Sequence, residues 1–195
     1  AIAEITRIER LISSWDANSQ TSRVNANAGV RPVKVDYELF DLIERAKGIS
    51  KLTDGAFDIS YASMDNIWKF DGSMSKMPSK MEITASVAKV GYQNILLDST
   101  RHTVFLKHKG MKIGFGAIGK GYAAYRAQEV MRSMGIENGL INASGDLMAW
   151  GKPPQRDNWS VSIPDPKNRA QDLLEIKIPY GSVVTSGNYE NYTLI

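Results

Sequence analysis

The stretch GFGAIGKGY, Gly114 to Tyr122, sets Gly114, Gly116 and Gly119 at G-x-G-x-x-G spacing, with Lys120 directly after the third glycine. Bare backbone beside a cation suits phosphate binding, since unpaired N–H groups at a helix start and an ammonium both favour a pyrophosphate. Three readings stand open on these residues. A dinucleotide fingerprint needs strand, turn and helix in a βαβ unit, and an acid about 20 positions further on. Here the upstream partner alternates like a hairpin, and Glu137 is the only acid near that offset. A second reading is purely geometric: the glycines let a strand turn closely into a helix with no ligand. The third is a helix N-terminus outside a Rossmann fold, in which Lys120 faces phosphate and a free carbonyl such as that of Ala117 faces a hard cation that prefers oxygen.

Other chemistries are poorly supplied. The chain has no cysteine, which removes disulfides, thiolate metal sites and thiol nucleophiles, and its two histidines, His102 and His108, fall in what reads as one exposed hairpin. A zinc site or a histidine-based triad is therefore not expected. The 24 basic and 21 acidic residues are mixed along the chain, with no basic run beyond pairs. Such a distribution gives no support to nucleic-acid binding and only a slight bias toward acidic ligands.

The elements that must position the glycine stretch follow from periodicity. Ile5, Ile8, Leu11 and Ile12 recur at helical spacing, and the polar DANSQTSRVNANAG then breaks the pattern. DYELFDLIERAKGISKLTDG predicts a second helix with Asp36 as N-cap, a buried face of Leu39, Leu42, Ile43 and Ala46, and Gly48 near its end. A long irregular connection from Ala56 to Lys80 follows, of the kind that is usually functional or mobile. ITASVAKVG predicts a short helix ending at Gly91, and NILLDSTRHTVFLKHKGMKIGFG predicts two or three strands with turns at Asp98 to Arg101 and Lys109-Gly110. KGYAAYRAQEVMRSMG predicts a helix stopped by Gly135, and GLINASGDLMAWG, WSVSIPDP, LLEIKIPYGSVVTSG and the last few residues predict strands. Helices in tandem with antiparallel hairpins indicate an α+β fold, and 195 residues with 43% hydrophobic content suit one domain over residues 1–195. No stretch has membrane-spanning length, and the chain begins in a helix already under way and stops as a strand forms. Both ends are expected to be cuts in a longer protein.

Taken together, GFGAIGKGYAAYRA, INASGDLMAWG, LISSWDANSQTSRVN, TDGAFDISYASMDNIWKF and VVTSGNYENY, in that family's order and with compatible gaps, resemble the FAD:protein FMN transferases of the ApbE type over nearly the whole chain. The resemblance implies a T-fold-like α+β architecture with helices packed on antiparallel sheet. It also implies a magnesium-dependent reaction in which FMN moves from FAD to a threonine hydroxyl of a target protein and AMP is released. Targets are typically subunits of membrane redox pumps. The alternatives are a FAD pyrophosphatase giving FMN and AMP, and a flavin-binding module without turnover. The expected location is extracytoplasmic, through a lipid anchor outside this segment, and the absence of cysteine is compatible with it.

Residue by residue, the resemblance puts Trp15 beside the flavin ring, where the family often has tyrosine, with a core aromatic closing the first helix as the other reading. Trp68, Lys69 and Phe70 match a flavin-lining segment in which Lys69 replaces a glycine. Lys120 matches a ligand contact, and Gly114 stands where an aspartate contacting FAD is common. Ala117 matches the metal position with only its carbonyl to offer, and Tyr125 stands at an often acidic position. Asn142, Ser144 and Asp146 match a motif near the adenosine side, Thr185 to Gly187 match a T-S-G motif, and Asp54 to Asp58 read as a turn-forming structural motif. No catalytic residue is assigned, because the family's later histidine, aspartate and threonine segment is expected after Ile195.

Overall fold

The computed structural model describes residues 1–70, 73–165 and 168–185. The described residues divide into two compact units, one formed by Glu9–Ala117 and the other by Ala1–Ile8 with residues 118–185. Every strand pairing among the described residues is antiparallel. That arrangement bears out the α+β class and removes the Rossmann reading, which needs a parallel sheet at the glycine turn.

Helix α1 (Ile2–Ile12) buries Ile8, Leu11 and Ile12 as its spacing predicts. The polar stretch after it ends that helix and then, against expectation, builds another, α2 (Gln20–Ala26). Two features outweigh its composition. Ser19 caps the helix by accepting from the Ser22 N–H at 2.9 Å, and Thr21 and Val24 are buried. The Thr21 hydroxyl is satisfied by the Leu11 carbonyl at 3.1 Å.

Strand β1 (Val33–Lys34) leads into α3 (Tyr37–Leu52), which buries Leu39, Leu42, Ile43 and Ala46 and runs through Gly48. Asp36 occupies the N-cap but makes no side-chain cap bond; Gln20 takes both its carboxylate and its backbone N–H. Asp54 and Gly55 then turn the chain with φ of 50° and 81°, as a turn-forming motif should. A 3-10 helix (Ile59–Ser63) lies within the otherwise irregular connection. Helix α4 (Lys80–Ser86) starts earlier and stops sooner than expected. Its start is fixed by a capping box between Ser79 and Glu82, whose bonds to Ser79 hold the Glu82 carboxyl below its ordinary pKa. Gly91 instead begins a short 3-10 turn (Tyr92–Asn94).

Strands β2 (Ile95–Asp98) and β3 (Thr103–Leu106) form the predicted hairpin, with β1 as the third member in the order β1-β3-β2. The Asp98 carboxylate shapes the turn by accepting from the N–H groups of Thr100 and Arg101, both at 3.0 Å. His102, expected exposed, is half-buried against Tyr37 and Phe40, with ring centroids 5.3 and 5.5 Å away; His108 is exposed. The third candidate strand, Met111 to Phe115, has no regular secondary structure and joins no sheet.

In the other unit, α5 (Gly119–Ser133) buries Ala123, Ala124 and Ala127 and packs on the sheet β4-β5-β8. The strands are β4 (Gly139–Ala143), β5 (Asp146–Trp150) and β8 (Gly181–Val184). Strands β6 (Trp159–Asp165) and β7 (Asn168–Ile178) pair as a separate ribbon. Small alanines on α5 let the helix approach the sheet closely.

Candidate functional site

The floor of the site is the segment that looked like a third strand. Met111, Ile113 and Phe115 are buried, so period-two alternation turns Lys112, Gly114 and Gly116 to the other face. With no sheet neighbour, the segment is held by the Ile59 carbonyl, which accepts from the Gly114 N–H at 2.9 Å, and by two side chains. Ser63 Oγ accepts from the Lys112 N–H at 2.7 Å and donates to the Lys112 carbonyl at 2.8 Å. Asn25 accepts from the Ile113 N–H at 2.8 Å and donates to its carbonyl at 3.0 Å. Four bonds on two successive residues replace a ladder.

Over this floor opens a cavity of about 710 Å³, with Trp15, Tyr61, Trp68, Phe70, Lys112 and Gly116 among its lining residues. Trp15 is 95% exposed, which overturns the core-aromatic reading. Its placement has a local cause: α1 stops at Ile12, and Ser13 Oγ accepts from the N–H groups of Trp15 and Asp16 at 3.2 and 3.0 Å, a turn that points the indole outward. An indole, a second tryptophan and a phenylalanine on one open cavity offer apolar faces to a planar ligand.

The structure does not bring Lys69 into this cavity. Trp68 and Phe70 line it, whereas Lys69 lines a separate cavity of about 310 Å³ with Met74 and Met77. Residues 68 and 70 face one cavity and residues 67 and 69 the other, so Lys69 adds no bulk to the aromatic pocket.

Gly114 and Gly116 fit the floor for steric reasons. A Cβ at 114 would meet the Ala62 Cβ at 3.0 Å, and one at 116 would meet the Tyr61 hydroxyl at 2.5 Å. The contact at 116 is with the far end of a side chain. Gly116→Ala is therefore expected to cost no more than about 1 kcal/mol of stability. Flavin affinity is expected to fall about tenfold as Tyr61 moves into the pocket. A thermal melt and a flavin fluorescence titration together check this; unchanged affinity would show that the Tyr61 edge is outside the binding surface.

Lys120 lies in the first turn of α5, in the other unit. Its ammonium donates to the Ser144 carbonyl at 3.2 Å. Ser144 and Gly145 form the β4–β5 turn with φ of 56° and 97°, and Asn142 Oδ1 fixes it by accepting from the Gly145 N–H at 2.9 Å. Asn142 and Ser144 thus shape the turn that holds Lys120, and Asp146 Oδ2 lies beside Gly121, 3.8 Å from where a Cβ would stand there. Tyr125 is partly exposed, with its ring 6.5 Å from that of Tyr122. Thr185 is exposed beyond β8, and Ser186 and Gly187 lie outside the described residues.

Ala117 is exposed and can offer one carbonyl oxygen. No group of three or more His, Cys, Asp or Glu able to hold a metal occurs among the described residues. A magnesium ion demands near-octahedral oxygen coordination, so these residues alone do not fit it.

Sequence reasoning missed Tyr61, Asp65 and Lys112 as pocket residues. The signal for Lys112 was available in the apolar alternation of Met111, Ile113 and Phe115. Nothing local marked Tyr61 or Asp65.

A model of the ApbE family matches residues 1–194. The chain is 35% identical over 189 residues to a FAD:protein FMN transferase of Klebsiella pneumoniae, covering 96% of this chain and 58% of that protein. It is 32% identical over 191 residues to the protein of the same name from Buchnera aphidicola, covering 94% and 55%. The chain thus spans little more than half the length of these relatives. Among solved structures, the ApbE protein of Thermotoga maritima superposes with a TM-score of 0.86 at 31% identity, over 100% of this chain and 63% of that one. The apo flavinyl transferase ApbE of Pseudomonas stutzeri shares the fold with a TM-score of 0.79 at 24% identity, over 98% and 59%. With the family model matched over residues 1–194 and relatives more than 30% identical along nearly all of its length, the chain belongs to the ApbE family.

Proposed function

We propose that this chain is the flavin-binding part of a FAD:protein FMN transferase. The observation that carries the reading is the exposed indole of Trp15 on the same open cavity as Trp68 and Phe70, a surface suited to an isoalloxazine. In the proposed reaction a threonine hydroxyl of an acceptor protein attacks the FMN phosphorus of FAD. A new phosphoester bond forms, the pyrophosphate P–O bond breaks, the hydroxyl proton is lost and AMP leaves. The contribution assigned to this chain is binding and orientation: the aromatic pocket takes the ring, and Lys120 favours phosphate charge at the start of α5. No step is assigned to magnesium. Acceptor subunits of membrane redox pumps and an extracytoplasmic location belong to the same proposal, which the family membership supports.

The test uses the full-length protein with FAD, magnesium and a threonine-bearing acceptor. An acceptor mass increased by flavin phosphate, with AMP released in step, is the expected result. Free FMN with AMP and an unmodified acceptor would show hydrolysis instead, and unchanged FAD would overturn turnover. For Lys120 the expected result is narrower: Lys120→Met weakens FAD binding about 10- to 100-fold in calorimetric titration, the usual range for one charge-assisted contact. Ala117→Ser, which keeps the carbonyl, is expected to leave the affinity unchanged with or without magnesium. Equal dissociation constants for wild type and Lys120→Met would remove Lys120 from the binding surface.

A further inference from the structure

The floor strip of the pocket carries one side chain with a charge. Lys112, Gly114 and Gly116 share a face, and the two glycines leave Lys112 as the only residue of the strip that lines the cavity with a side chain. Its backbone is pinned on both sides by Ser63, and its neighbour is pinned by Asn25, so the position from which the side chain springs is fixed. Its ammonium makes no ion pair or hydrogen bond among the described residues. The pocket also holds a carboxylate, Asp65, whose side chain makes no ion pair among the described residues. The two stand in one cavity without neutralising each other through a direct contact.

From this arrangement we infer that Lys112 is a positioning residue for the flavin, meeting an edge of the isoalloxazine and biasing the pocket toward the more electron-rich form of the ring. The inference rests on the flavin reading given above and adds to it an electronic preference. Oxidised isoalloxazine presents carbonyl oxygens and ring nitrogens as acceptors at its edge, and an ammonium supplies donors with a full charge. On two-electron reduction the ring gains negative charge, and a cation held beside it stabilises that form by Coulomb attraction. Asp65 acts with the opposite sign. The aromatic faces of Trp15, Trp68 and Phe70 contribute stacking in either state, so ring charge is read by the two ionised side chains.

The test uses riboflavin, which carries no phosphate and so leaves Lys120 out of the comparison. Binding of oxidised riboflavin to wild type, Lys112→Met, Lys112→Arg and Asp65→Asn is followed by flavin fluorescence. The midpoint potential of the bound flavin is then read by anaerobic photoreduction against a reference dye. Lys112→Met is expected to weaken the reduced form about tenfold more than the oxidised form, which lowers the two-electron potential by about 30 mV. Lys112→Arg restores the wild-type potential, and Asp65→Asn raises it. A merely structural role for Lys112 would change affinity without changing the potential. Wild-type binding together with an unmoved potential in Lys112→Met overturns the inference and leaves the flavin reading standing. Failure of wild type to bind either riboflavin or FAD overturns both.

Discussion

Replacing Trp15 and Trp68 together by alanine lowers flavin affinity by about 30- to 1,000-fold, the loss expected when two aromatic faces each worth about 1–2 kcal/mol are withdrawn from a planar ligand. The effect separates cleanly from stability because Trp15 is 95% exposed and its removal leaves no core cavity. Trp15→Ala alone is expected to alter unfolding by no more than about 0.5 kcal/mol. Trp68 is half-buried, so the double variant is measured beside Trp68→Ala to correct for its packing. Fluorescence titration with FMN and a thermal melt on each protein suffice. A double variant that melts normally and binds FMN like wild type would show that the cavity is not the flavin site.

Asp58→Ala is expected to destabilise strongly the unit that holds this pocket. Its carboxylate accepts from the Ser60 N–H at 2.8 Å, the Ser60 hydroxyl at 2.7 Å and the Tyr92 N–H at 2.7 Å, while Ser60 Oγ in turn accepts from the Gly91 N–H at 2.8 Å. One side chain thus caps the 3-10 helix and ties it to the chain entering β2. Removing three hydrogen bonds to a charged acceptor is expected to cost about 3 kcal/mol, a fall in Tm of about 6–12 °C. Asp58→Asn keeps one acceptor and should lose about half as much. Flavin affinity falls with stability, since the same 3-10 helix carries Tyr61 and Ser63. A wild-type melting curve for Asp58→Ala would refute this account.

Part of this was legible from residues alone. The buried face of α3 could be read because four apolar positions recur over sixteen residues. Helix α2 could not, because seven residues supply only two buried positions, and its serine and asparagine content suits a loop as well as a capped helix. The start of α4 was written in Ser79 and Glu82, three apart, but the apolar residues downstream drew the boundary too far along. The family motifs named Trp15, Trp68 and Phe70, which share one cavity, without showing that Lys69 turns to a different one, since that depends on alternation through a segment with no secondary structure. The glycine stretch was the most ambiguous feature. Its phosphate reading rests on Lys120, while the packing of Ala62 and Tyr61 against Gly114 and Gly116 depends on residues some fifty positions away, which no local pattern encodes.

The fastening of Met111 to Phe115 by Ser63 and Asn25 bears on kinetics. A strand in a ladder frays one bond at a time from its end, whereas this segment is fastened mid-length by four bonds to two side chains and one to the Ile59 carbonyl, with Met111, Ile113 and Phe115 buried beneath it. The pocket floor is therefore expected to hold its shape until the core beneath it opens. Residence time of a bound ring is governed by dissociation, so the lifetime of the complex is expected to be tunable at Ser63, which fastens the floor without lining the cavity.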